Sequence, residues 1–225
     1  MKNLTITIFL FFAYFINAQN VHLTKVEKTH INGDKFLYNI NEKKKDAEYL
    51  GEIEVQGFSK NDADVFSAIY KKAKEIGANS FSLKPFEGID GNPQKFDPSH
   101  YKLQLFYVAK EKISDEVGNL YLFASSLKDQ KININRKDYI LSPRTYLKMP
   151  LVSGEIYTIS TKKLLGSTIK IKKDSKNSDQ YFQISSAKLG SSNQNDGTLH
   201  LKSGDIEGLE KSFAEFLAMI YQEIK

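Results

Sequence analysis

Cysteine is absent from all 225 residues of the chain. Without a thiol there is no disulfide, no thiolate nucleophile, no thiolate zinc site and no thioredoxin-like redox centre. The same absence removes the attachment point for a bacterial lipoprotein anchor. Arginine is nearly missing as well: of 32 Lys and Arg residues only Arg136 and Arg144 are arginines. Arginine carries the planar fork suited to phosphates and base edges, whereas lysine is a hydrated point charge. The net charge of +5 therefore reads as a solvated surface and not as a nucleic-acid interface. The basic runs Lys43-Lys44-Lys45 and Lys170, Lys172 and Lys173 agree, since neither forms a helical stripe with stacking aromatics.

Long apolar runs are also scarce. The one at residues 4–16 is shorter than the roughly twenty residues a helix needs to cross a hydrocarbon core, so no stable membrane span is expected. With Lys2 before it and Ala18 after it, this run has the parts of a secretory signal. Residues 1–18 are expected to be cleaved after Ala18, leaving a periplasmic, outer-envelope-associated or secreted protein. In a compartment that permits disulfides, the chain must rely on buried apolar surface, and 15 Phe and 12 Tyr can supply it.

Several catalytic signatures are lacking. No Gly-x-Ser-x-Gly elbow, phosphate-binding Gly-rich loop or dinucleotide fingerprint occurs. His22, His30, His100 and His200 are scattered, and none of them pairs at the i, i+4 spacing of helical metal ligands, although His22 and His30 could meet across a first hairpin. Glu87, Asp90 and Asp97 share a loop with His100, but their spacing is not that of an EF-hand, and Asp90-Gly91-Asn92-Pro93 is turn chemistry. Asn193-Gln194-Asn195-Asp196-Gly197 reads as a hairpin tip. No cofactor, metal or catalytic residue is assigned.

What is present is an alternation of strand and helix signals. Residues 21–26 and 35–40 are β-inclined, with the turn Asn32-Gly33-Asp34 between them predicting a hairpin. Residues 49–56 alternate as a strand with one wet face. A helix follows, with Ser59, Asn61 or Asp62 to cap it, a stripe of Val65, Phe66, Ile69, Tyr70, Ala73 and Ile76, and Gly77 to stop it. Strands at 80–83 and 102–109 complete a β-α-β-β unit.

Leu50-Gly51 through Val55, the capped helix and the step Ile76-Gly77-Ala78-Asn79-Ser80-Phe81 resemble the small β-α-β domains of the YbjQ/RcsF type. The resemblance covers about sixty residues and implies a sheet with one crossing helix and a tendency to form rings. RcsF-type sensors depend on disulfides and a lipid anchor, so their stress-sensing role does not extend to a chain without Cys.

Residues 111–118 read as a linker, and the pattern then turns to β. Strands are expected at 119–124, 131–135, 138–141, 145–149, 155–161, 167–172, 180–184 and 198–202, with a second helix over 205–224 lying on a sheet or capping a barrel end. Its stripe is Ile206, Leu209, Phe213, Phe216, Leu217, Ile220 and Ile224. Residues 132–160, with Tyr146, Ser153-Gly154 and Tyr157, loosely resemble exported β-domains of the DUF2846 kind, which bring no assigned chemistry. A pleckstrin-like barrel closed by the last helix is the rival architecture. The fold class is thus α+β: a β-α-β-β domain at 19–110, then an antiparallel β-sandwich or barrel at 119–225 with a C-terminal helix.

Tyr139, Tyr146, Tyr157 and Tyr181 recur along the later strands. On one exposed face they would grip a glycan, peptide or lipid; in a core they would send hydroxyls to the rim. The functional expectation is a non-catalytic envelope module that binds a protein, peptide or glycan, or assembles with itself. The alternative is a hydrolase using dispersed carboxylates.

Overall fold

The computed structural model describes residues 20–40, 46–57, 59, 61–113, 117–162, 166–173, 178–185, 201–203 and 205–224. The expected signal segment 1–18, Lys43-Lys44-Lys45, His200 and the expected hairpin tip at 193–197 lie outside the described residues. Three sheets and two α-helices make the described chain α+β.

The first sheet runs in the order β1-β3-β5-β4-β2. Its strands are β1 (Asn20–Val26), β2 (Tyr38–Asn39), β3 (Glu48–Gln56), β4 (Ser80–Lys84) and β5 (His100–Tyr107). Helix α1 (Asp62–Glu75) carries the chain from β3 to β4, and β5 inserts between them, antiparallel to both. Asn61 is the residue that caps α1, its side chain accepting from Ala63 N. The expected stripe holds: Val65, Phe66, Ile69, Ala73 and Ile76 are buried, with Leu50, Ile53, Val55, Leu103 and Leu105 of the sheet in the same cluster.

Two glycines explain the quoted motifs. Gly77 has φ +79°, and a Cβ there would sit 1.6 Å from the carbonyl oxygen of His30. At Gly51, beside a β-bulge, a Cβ would sit 2.2 Å from Lys25 O. Next in the first motif, buried Asn79 donates from Nδ2 to Val108 O at 2.8 Å and accepts from Val108 N at 2.9 Å, so its side chain supplies both partners that a strand residue would.

The hairpin expected around Asn32-Gly33-Asp34 does not form. β1 and β2 occupy opposite edges of the sheet; β1 pairs with β3, and β2 pairs in parallel with β4. The turn chemistry serves docking instead of reversal. Asn32 accepts from Asp34 N and donates to Gly77 O at the helix stop. Lys74 then spends its ammonium on the carbonyls of Asp34, Phe36 and Ala78, at 2.8, 2.6 and 3.1 Å.

After a short 3-10 turn (Lys110–Lys112) come strands β6 (Asn119–Phe123), β7 (Gln130–Ile134), β8 (Lys137–Leu141), β9 (Thr145–Pro150), β10 (Ile156–Thr161), β11 (Thr168–Lys172), β12 (Gln180–Ile184), β13 (Leu201–Ser203), β14 (Ile206–Gly208) and β15 (Gln222–Ile224). They form a four-stranded sheet, β11-β10-β7-β8, and a six-stranded sheet, β13-β14-β12-β6-β9-β15. Leu120, Leu122, Ile132, Leu141, Ile159, Ile184 and Ile206, drawn from both sheets, share one apolar cluster.

The second helix is shorter than expected: α2 is Lys211–Ile220, with β14 before it and β15 after it. The reason lies in which core each residue serves. Ile206 and Ile224 face the cluster between the two later sheets, whereas Phe213, Phe216, Leu217 and Ile220 enter the cluster of the first sheet. Glu210 caps α2 by accepting from Phe213 N. The helix lies against α1, with Phe213 and Phe216 each 5.4 Å from the ring of Phe66. It also covers the outer edge of β2: Ser212 Oγ accepts from Leu37 N at 3.0 Å and Glu215 Oε2 from Asn39 N at 2.6 Å.

Gly77→Ala is expected to lower unfolding free energy by about 2 to 4 kcal/mol, since both dihedral and space forbid the methyl. Gly33→Ala, where a Cβ meets nothing within 4 Å, should change it little. Equilibrium denaturation of the two variants checks the contrast.

Candidate functional site

Period-two alternation gives the six-stranded sheet two different faces. Leu120 and Leu122 of β6, Leu147 and Met149 of β9, and Phe182 and Ile184 of β12 point into the cluster shared with the four-stranded sheet. Tyr121, Phe123, Tyr146 and Tyr181 belong to the other face, toward α2 and the first sheet's core. Register then aligns them in rows. Tyr181, Tyr121 and Lys148 are direct cross-strand partners, and so are Gln183, Phe123, Tyr146 and Glu223 one row further on.

The two rows differ in cover. Phe123 and Tyr146 are buried, with the ring of Tyr221 edge-on to Phe123 at 6.2 Å. Tyr146 donates to Glu223 Oε2 at 3.2 Å, and burial first, then this carboxylate, push its pKa up to about 12. The first row emerges from that cover. Tyr121 and Tyr181 are half-buried and stack at 5.0 Å, while Lys148 is exposed and holds its ammonium 5.3 Å from the Tyr121 ring centre.

Of the four tyrosines expected to act together, the structure brings Tyr146 and Tyr181 to one face, linked through Tyr121, which the sequence reading passed over. Tyr139 and Tyr157 stand on the four-stranded sheet and pack into the other cluster. Tyr157 is buried, donating to Glu155 Oε2 at 3.0 Å and accepting from Val152 N at 3.2 Å, so its ring is a core element with a rim hydroxyl. Tyr121 was signalled by the alternation of residues 119–123, where Leu120 and Leu122 face away from it.

Beneath the aromatic face lies a polar seam between the two halves of the chain. Arg144, in a turn at φ +56°, donates from Nη2 to Asp62 Oδ1 and to Ser59 O, both at 2.8 Å. Tyr221 donates to Asp62 Oδ2 at 2.7 Å. Burial raises the pKa of Asp62, opposed by Arg144 and by the Tyr221 hydroxyl. The arrangement holds the carboxylate in place through both oxygens, which is a positioning role at the first turn of α1.

The histidines fall apart. His22 stands opposite Glu54 on β1, and His30 stacks on Tyr107 at 3.7 Å, so no hairpin joins them. His100 Nε2 lies 2.7 Å from Glu54 Oε1 on the wet face of the first sheet. Asp90 and Asp97 accept from the nearby Asn92 and Ser99, which lowers the pKa of each, as turn chemistry requires. Among the described residues no group of three or more His, Asp and Glu gathers as a metal cage.

Replacing Arg144 with Met leaves Asp62 buried without its cationic partner, and a loss of about 3 to 5 kcal/mol in unfolding free energy is expected from denaturant titration. Glu54 gives the pH dependence. His100, Gln56 and Lys102 hold its pKa down from 4.5 to about 2. A depressed carboxylate contributes stability above its unfolded value and loses it as pH falls. The wild-type protein should therefore lose more stability than Glu54→Gln between pH 4.5 and about 2, read by acid titration of both. Comparison of the chain with family models, with curated proteins and with solved structures found no match in any of the three.

Proposed function

We propose that the protein is an exported, non-catalytic binding module of the cell envelope, and that the strip Tyr181, Tyr121 and Lys148 grips a glycan. One observation carries this reading: two stacked tyrosines are left half-open in a row whose continuation is closed by Tyr221 and α2. Aromatic rings offer large apolar area at small entropic cost, and a lysine at the end of the row can meet hydroxyl or acidic groups of a sugar. In this reading residues 119–225 form the binding half, and the β-α-β-β half, through its YbjQ/RcsF-type resemblance, serves as scaffold or self-assembly surface. Cleavage after Ala18 delivers the module to the envelope.

The hydrolase alternative rests on Asp62, the buried carboxylate with a raised pKa. Its engagement by Arg144 and Tyr221 favours architecture over catalysis, and a catalytic pair would need a second carboxylate beside it.

Tyr121→Ala and Tyr181→Ala are each expected to weaken binding of envelope glycan fragments by tenfold or more, and Lys148→Glu to weaken acidic fragments selectively. Calorimetric titration of the purified exported protein measures this; absence of binding by the wild-type protein to any fragment would sink the proposal.

A further inference from the structure

The outward face of the four-stranded sheet carries a second pattern, independent of the tyrosine strip. Antiparallel register places Lys131 directly opposite Ile140, and Lys172 directly opposite Ile156. Lys170 and Lys162 project from the same face, and Asp138, in an ion pair with Lys162, is the acid among them. The two isoleucines stand in the open, at 60% and 61% of their full exposure. Their strand neighbours Leu141 and Tyr157 point the other way, into the buried cluster.

Lysines alone on such a face are accounted for by solvation and by protection of β8 and β11 from edge pairing. Solvation does not account for an exposed β-branched side chain beside a cation on two separate strand pairs. A lysine stem can lie along apolar surface with its ammonium reaching outward, so each Ile–Lys pair presents an apolar patch under a positive tip. Hydrocarbon next to cation, repeated on one sheet face, matches the boundary of an anionic bilayer, where apolar side chains enter the headgroup layer and lysines meet the phosphates. A soluble polyanion would use the lysines and leave the isoleucines without a role.

We infer that this face docks the protein peripherally on an anionic lipid surface through Ile140, Ile156, Lys131, Lys170 and Lys172. The aromatic strip lies on a different sheet and faces α2, so the two surfaces are separate. Each lysine near an anionic surface changes binding by about fivefold, so the attachment is reversible and salt-sensitive.

The test is co-sedimentation of the purified exported protein with vesicles of phosphatidylglycerol mixed with phosphatidylcholine, against vesicles of phosphatidylcholine alone. Binding is expected to the first only and to fall with added salt. The double variant Lys170→Glu with Lys172→Glu should reduce partition at least about tenfold, and Ile140→Ser with Ile156→Ser severalfold, with thermal unfolding of both unchanged. Lys131→Glu provides a second charge variant from a different strand. No binding to phosphatidylglycerol vesicles, or equal binding by the variants, overturns the inference. So does retention on a soluble sulfated polysaccharide that the isoleucine variant leaves unaltered, since that assigns the face to polyanions. Loss of glycan binding in the Tyr121→Ala variant leaves this result untouched, so the two readings fail separately.

Discussion

The fold turns on one buried carboxylate. Asp62 sits at the first turn of α1, yet both of its oxygens are held by residues from the far half of the chain, Arg144 from the turn before β9 and Tyr221 from the end of α2. A charge at this depth tolerates no loose geometry, because the penalty of an unpaired ion in the interior runs to several kcal/mol. The contact therefore fixes where α1, β9 and α2 lie relative to one another. Phe66, Phe123, Tyr146, Phe213 and Tyr221 fill the space around it as one cluster. The positioning of the aromatic face follows from this junction: Tyr221 is held over Phe123, and the row of Tyr121 and Tyr181 is left outside that cover.

Local elements were legible in the sequence where their signals were local. Helix α1 showed cap, stripe and stop together, and strands β6 to β13 announced themselves by alternation and turns, with boundaries within a few residues of those observed, whereas β14 and β15 were read as helix. Pairing was not legible. Asn32-Gly33-Asp34 has the chemistry of a hairpin, but Asn32 bonds to the helix stop, and the strand beyond it joins β4. The last helix looked continuous from 205 because Ile206 and Ile224 share its period, although they serve a different core.

The candidate site was half legible for the same reason. Tyr146 and Tyr181 were named from their recurrence in strands, but recurrence does not reveal which sheet a strand enters or which face it shows. Tyr139 and Tyr157 went to the four-stranded sheet, and Tyr121 became the link. Arg144 had drawn notice only as one of two arginines, with nothing local to tie it to a carboxylate 82 positions earlier. The lysines at 170 and 172 read as solvated in one dimension; cross-strand register is what sets Ile156 beside Lys172.

The edge of β2 has a consequence for how the molecule comes into being. Its amide groups at Leu37 and Asn39 find their partners in Ser212 and Glu215, 175 and 176 positions later. A chain delivered amino end first leaves that edge bare until nearly its last turn of helix has arrived. Contacts of such long range form slowly, and an unfilled strand margin recruits whatever extended segment is nearby. Synthesis thus passes through an interval in which the first sheet is assembled but unsealed, until α2 arrives to close it.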